Sequence, residues 1–274
     1  MAEPAVVDTR TPETTGRDAG YWEGVAETWR ATKPQALWRA HSDAVNAKLL
    51  AEWLPERVDL LLKTDLFDEA VGGGLHGLLA SRARVVAGID VSAGVVGAAT
   101  IGHAGLRGVQ ADVRRLPFPD AAFDVVVSNS TLDHFTSADD LVAGLRELRR
   151  VLRPGGCLIV TLDNPANPIV ALRARLPFGL LHRLGLVPYF VGVSCGPREL
   201  PRILTREGFE VVETTAVLHC PRVIAVAIAR VLDRRAGPRG RERFLRSLMT
   251  WERLGRWPTR FRTGHFVAAR AVRR

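Results

Sequence analysis

Apolar positions along this chain recur with two different periods, and the change of period divides it. From Tyr21 to Trp53 the spacing is helical: Trp22, Val25, Ala26 and Trp29 stand at i, i+3, i+4 and i+7, on one helix face. A second helix after Pro34 carries Leu37, Trp38, Val45, Leu49, Leu50 and Trp53 and stops at Pro55. Aromatic stripes of this kind serve as core, or as a lid over a pocket. From Asp59 onward short apolar runs alternate with helical segments, the pattern of a parallel sheet with crossover helices. The stretch from Leu66 to Asp90 predicts a strand, a glycine loop, a helix from Leu75 to Ser81, and a second strand, Arg84 to Ile89, that ends on Asp90. Further strands are expected at Leu106 to Gln110, Val125 to Val127 and Cys157 to Leu162. The amphipathic helix Ala138 to Leu152 precedes the last of these and is broken by Arg153-Pro154-Gly155-Gly156. Phe209 to Leu218 alternates like a strand, and Gly264 to Val272 predicts the final one.

Composition adds bounds. At 47% apolar and 24% charged residues, the chain is that of an ordinary globular protein. It holds no run of 18 apolar residues that would predict a membrane span. Residues 1–19, rich in Pro, Thr, Asp and Glu without an apolar period, predict a disordered tail rather than a secretory leader. Cys157, Cys195 and Cys220 form neither a disulfide framework nor a metal pair, so a reduced, cytoplasmic setting is expected and no metal site. The net charge of +9 is lopsided: 14 arginines and only three acids fall between Arg230 and Arg274. A solvated basic face accounts for this, as would contact with an anionic partner or a membrane surface.

The Leu66–Asp90 stretch carries the candidate chemistry. Glycines at 72, 73, 74 and 77 allow close backbone approach to a ligand. An acid ending the second parallel strand is placed to accept from ribose hydroxyls. Such a loop alone is a weak sign, shared by many nucleotide-binding folds. Three further segments follow it in order. They are Gly-Ile-Asp at Asp90, Ala111-Asp112-Val113 leading to Leu116-Pro-Phe-Pro-Asp120, and Leu145-Arg-Glu-Leu leading to Arg153-Pro-Gly-Gly156. Together they closely resemble the class I S-adenosylmethionine (SAM)-dependent methyltransferases, in the branch that includes the ubiquinone and menaquinone biosynthesis enzymes. The match is strong from Leu60 to Leu162 and looser to Arg274.

The resemblance implies an α/β fold: a Rossmann-like, doubly wound, seven-stranded and mostly parallel sheet with an antiparallel last strand, under an N-terminal helical cap at 20–56. A methyltransferase domain would then span 57–274. It implies SAM as cofactor, with Gly72, Gly73 and Gly74 against its methionyl end. Asp68 or Glu69, ending the first strand, would receive the ammonium, and the interval to Asp90 does not choose between them. Asp90, followed by Val91, would hold the ribose. Asp112 and the Val113 N–H would meet the adenine, and Ser128 and Asn129, ending the fourth strand, would face the reacting carbon. The family's loop has an earlier glycine where this chain has Ala70 or Val71.

Methyl transfer from a sulfonium needs alignment and exclusion of water, and a base only if the acceptor must lose a proton. Asp133 and His134 are the candidates for that base, unless His134 only shapes the pocket. His219 is weighed between an acceptor pocket and a structural role. Residues 163–196 exceed a plain connection and are apolar enough to wall a pocket for a lipophilic or aromatic acceptor, or to rest on a membrane. Two rivals stay open. A nucleic-acid (RNA) methyltransferase is favoured by the basic tail, but Asp163-Asn164-Pro165 comes one strand too late for base methylation and counts against it. The other is a SAM-binding protein without catalysis.

Overall fold

The computed structural model describes residues 19–32, 35–184 and 186–274. The expected tail lies, but for Ala19, outside the described residues. Two helices come first, α1 (Ala19–Thr32) and α2 (Ala36–Trp53), and strands and helices then alternate. They are β1 (Val58–Lys63), α3 (Phe67–Val71), α4 (His76–Arg82), β2 (Ala83–Asp90), α5 (Ala93–Gly102), β3 (Leu106–Gln110) and β4 (Phe123–Asn129). After these come α6 (Ala138–Val151), β5 (Leu152–Asp163), α7 (Pro168–Ala174), α8 (Phe178–Arg183) and α9 (Glu199–Arg206). The chain closes with β6 (Phe209–Val217), α10 (Arg222–Arg235), α11 (Pro238–Thr250), α12 (Arg260–Thr263) and β7 (Phe266–Arg273).

The strands form one seven-stranded sheet in the order β3-β2-β1-β4-β5-β7-β6. The pairs from β3 to β5 are parallel, and β7 runs antiparallel between β5 and β6. This is the expected fold class. Alternation along each central strand feeds two cores: Leu61, Val125, Val127 and Ile159 face one, and Leu62, Val126, Leu158 and Val160 the other. α2 packs Leu49, Leu50 and Trp53 into the first, and α6 packs Leu141, Leu145 and Leu148 into the second.

The strand order reverses between β1 and β4, which opens a crevice at the carboxyl ends of the strands. α1 lies over it. Its Glu23 accepts from the Ser92 hydroxyl and the Gly94 N–H, at the start of α5, where a carboxylate is favoured by the free N–H groups.

One local expectation fails. β1 ends at Lys63, not at Asp68 or Glu69, and Phe67–Val71, which follows after a three-residue turn, is helical. The cause is a buried lock. The Lys63 ammonium meets Glu69 Oε2 at 2.8 Å, and the Leu75 N–H donates to Glu69 Oε1 at 2.8 Å. The glycines are thereby moved off the strand end and onto the back of α3. Gly74, at φ +55°, lies so close to Glu69 that a Cβ there would stand 2.6 Å from the carboxyl carbon.

Candidate active site

The crevice is lined from four strand ends and from the cap. β1 hands it Thr64 and Asp65, just past its last residue. Asp65 Oδ1 accepts from the Phe67 N–H at 2.8 Å, an Asx turn that starts α3. Asp68 also lines the crevice, but from the helix rather than the strand, while Glu69 is buried against Lys63. Gly72, Gly73 and Gly74 are not among the lining residues; Gly72 borders a separate hollow beside Gly102 and His103. The glycine loop is therefore replaced at the strand end by Thr64–Phe67.

Asp90, closing β2, is fixed by two backbone donors: the Leu66 N–H to Oδ2 at 3.2 Å and the Ser92 N–H to Oδ1 at 2.9 Å. Val91 follows it in the wall. Asp112 and Val113 line the crevice beyond β3. Both Asp112 oxygens are gripped by Arg114, which also reaches Asp140 Oδ1 at 2.8 Å. At the end of β4 adjacent residues part company. Asn129 faces the crevice, whereas Ser128 is fully buried behind it and accepts from the Thr64 hydroxyl at 3.0 Å. The expectation that Ser128 faces a ligand is corrected by the period of the strand.

The next turn separates the two candidate catalytic residues in the same way. His134 lines the crevice, with Nδ1 3.0 Å from the Phe190 carbonyl oxygen. A carbonyl only accepts, so Nδ1 carries the proton and Nε2 is left as the basic nitrogen. Asp133 is fully buried, accepts from the Ser130 hydroxyl at 2.8 Å and the Asp163 N–H at 3.2 Å, and does not line the crevice. It positions the turn that carries His134. Around His134 stands an aromatic wall: Trp22 at 4.6 Å and Tyr189 at 5.6 Å between ring centroids. Trp29 and Phe67 continue that wall. His219 is structural: it is buried, with Nδ1 2.8 Å from Thr263 Oγ1 and Nε2 2.9 Å from the Ala216 carbonyl.

Charge crowds one end. Burial, and then neighbouring acids, raise the carboxyls of Asp68 and Asp90 to about 7 and that of Asp43 to about 6. Asp43 acts on Asp68, Asp65 on Asp90, and Glu69 on Asp43. Both amide atoms of Asn129 are buried without a protein partner. This end thus offers acceptors for a cationic, hydroxyl-bearing ligand, and it gains from one. Asp65 stands two residues past the end of β1 and belongs to no motif that would mark it, whereas the three glycines lie further along the chain. Among the described residues, no group of His, Cys, Asp and Glu could hold a metal ion.

Comparison with known proteins bears on the same residues. A family described as "Methyltransferase domain" matches residues 68–160. A demethylmenaquinone methyltransferase of Beutenbergia cavernae is 33% identical over 189 residues, 65% of this chain and 70% of that protein. A Mycolicibacterium smegmatis protein named "Probable S-adenosylmethionine-dependent methyltransferase" is 32% identical over 161 residues, 57% of this chain. The match spans only 55% of that protein's length. Geranyl diphosphate C-methyltransferase of Streptomyces coelicolor was solved with Mg2+, geranyl diphosphate and S-adenosylhomocysteine. It shares the fold at a TM-score of 0.53 and 17% identity, over 84% of this chain and 78% of that one. A third of the residues shared across most of the Beutenbergia enzyme, on a sheet of this order, settles the kinship: the chain belongs to the S-adenosylmethionine-dependent methyltransferases.

Proposed function

We propose that this protein moves a methyl group from SAM to an oxygen, nitrogen or activated carbon of a small, lipophilic or aromatic acceptor. The observation that carries this reading is the meeting, at His134, of the acid-lined end of the crevice with the wall of Trp22 and Tyr189. Bound SAM supplies an electrophilic methyl carbon on a positively charged sulfur, so the donor needs no further activation.

The chain's own groups suit that ligand. Asp90 is preset to accept from two ribose hydroxyls, since its backbone donors leave a lone pair free on each oxygen. Asp112 and the Val113 N–H, with Val91 beside them, are assigned to the adenine. Of Asp68 and Glu69 only Asp68 is available for the ammonium, because Glu69 is committed to Lys63; Asp65 joins it. Asn129 is the polar group nearest the strand switch with hydrogen-bonding capacity to spare. His134, through Nε2, takes a proton from acceptors that must lose one, and the aromatic wall keeps water out.

The acceptor's character is supported by that wall and by the named substrates of two similar proteins, demethylmenaquinone and geranyl diphosphate. Peripheral membrane contact is part of the same reading. Ile169, Leu172, Leu176, Leu180, Leu184 and Leu186, between 40% and 63% exposed, form an apolar surface beside the crevice. The test uses methyl-labelled SAM with a cell extract split into organic-soluble and RNA fractions. Label is expected in the organic-soluble fraction; label in RNase-sensitive material, or none in either, overturns the reading.

A further inference from the structure

Positive charge lines the crevice as well as the acids. Arg222, at the start of α10, lines it beside Trp38 and Phe266. Its guanidinium lies 5.6 Å over the Trp38 ring and donates from Nη1 to His265 Nε2 at 2.7 Å. That is the one hydrogen bond Arg222 makes to the protein among the described residues, out of five N–H donors. The partner is neutral: burial, and then Arg222 itself, push the His265 imidazole down to about 3.

The nearest counter-charge is already shared. Asp163 is fully buried 3.4 Å from His265 Nε2 and is bonded to Arg173 of α7. Two guanidiniums thus share one carboxylate, Arg173 directly and Arg222 across a neutral imidazole. Nearby Glu252 is spent on the N–H groups of Leu218 and His219, and Asp133 on Ser130 and Asp163. The result is a fixed, partly desolvated cation, held by a ring below and an imidazole beside, with donors left over.

Tyr189 is part of the same lining. Its ring packs against His134 at 5.6 Å between centroids, and it lines the same crevice as Arg222. A molecule lying on the aromatic wall with its reacting atom at His134 shares that crevice with the Arg222 guanidinium.

We infer that Arg222 is a specificity-determining residue that binds an acidic group, carboxylate or phosphate, carried by the apolar acceptor. The inference rests on the methyltransferase reading only for the identity of the molecule that bears the anion. Reach and charge alone define the site, since a bidentate guanidinium suits either acid.

The test uses the full chain saturated with S-adenosylhomocysteine and three probes of one size: benzoate, phenyl phosphate and benzamide. Isothermal titration is expected to show benzoate, phenyl phosphate or both binding at least about tenfold tighter than benzamide. Which acid is preferred distinguishes carboxylate from phosphate. Arg222→Gln should bring the ratios to within about twofold of one, and Arg222→Lys should keep part of the preference. S-Adenosylhomocysteine affinity should stay unchanged in both variants. Equal binding of acid and amide by the wild type, or a preference that survives Arg222→Gln, overturns the inference; a purely structural Arg222 would move the melting temperature and not the ratio. If Arg222→Gln does not fold, loss of benzoate and phenyl phosphate preference by the wild type in high salt is the required result, and its persistence overturns the inference. A wild type that prefers the acids but ignores S-adenosylhomocysteine keeps the anion site and removes the methyltransferase reading.

Discussion

Asp68 and Asp90 bind protons in the folded chain that the unfolded chain has already released, because burial first and neighbouring acids second lift both to about 7 from 3.8. Their contribution to stability is full below the unfolded value and is lost as pH rises through 7. Asp90→Asn should therefore melt above the wild type at pH 8, with the gap narrowing as pH falls through 7 and closing only near the unfolded value of 3.8, while binding S-adenosylhomocysteine more weakly. A pH series of thermal melts checks the first half and calorimetry the second. His134 poses a different question, since its ring packs on Trp22 while Nε2, 4.0 Å from Asp133 Oδ1, is the nitrogen left to accept a proton. His134→Gln should lower kcat about 100-fold with cofactor affinity unchanged. An unaltered rate would leave the imidazole as wall and nothing more. Single residues were legible in the sequence only up to the strand period. Ser128 and Asn129 are equally polar neighbours, and which one faces the crevice depends on register, as does the division of labour between Asp133 and His134. Arg222 offered no local sign, because its partners Trp38 and His265 are remote in the chain.

At the scale of elements, α3 and its lock decide what the glycines do. Gly73 has open space where a Cβ would go, whereas Gly74 combines φ +55° with Glu69 in van der Waals overlap. Gly74→Ala should cost about 1–3 kcal/mol in denaturant melts, and Gly73→Ala almost nothing. Neither should shift S-adenosylhomocysteine affinity more than about twofold, by the calorimetric resolution that counts in such comparisons. A tenfold loss in Gly73→Ala would return the loop to the ligand, as the motif alone suggested. The misplacement has a physical cause. Phe67–Val71 is five residues long, too short to show a helical period, and Lys63 closes an apolar run as a surface cation would. Nothing local announces that Lys63 turns inward to Glu69. The later strands were readable, since Val125–Val127 is apolar on both faces and bounded by polar residues, whereas the first was expected from Leu66 and lies at Val58–Lys63.

For the molecule as a whole, apolar exposure and positive charge adjoin the crevice. α10 shows Val223, Ile224, Ile228 and Val231 to solvent, and it meets the exposed leucines of 172–186 through the Arg173–Asp163–His265–Arg222 chain. Among the described residues no helix is long and apolar enough to cross a membrane. The protein should sediment with phosphatidylglycerol vesicles more than with phosphatidylcholine vesicles, less so in salt, and Leu180→Glu with Leu184→Glu should abolish it. Equal recovery with both lipids would remove the arginines from the contact. Finally, the placement of tryptophans makes this protein its own optical reporter. Trp22, Trp29 and Trp38 border the crevice and Trp53 is buried in the core, while Trp251 and Trp257 stand in solvent. Filling the crevice should shift and shield the emission of the first three, and lipid should act on the exposed pair, so one label-free spectrum can separate occupancy from docking.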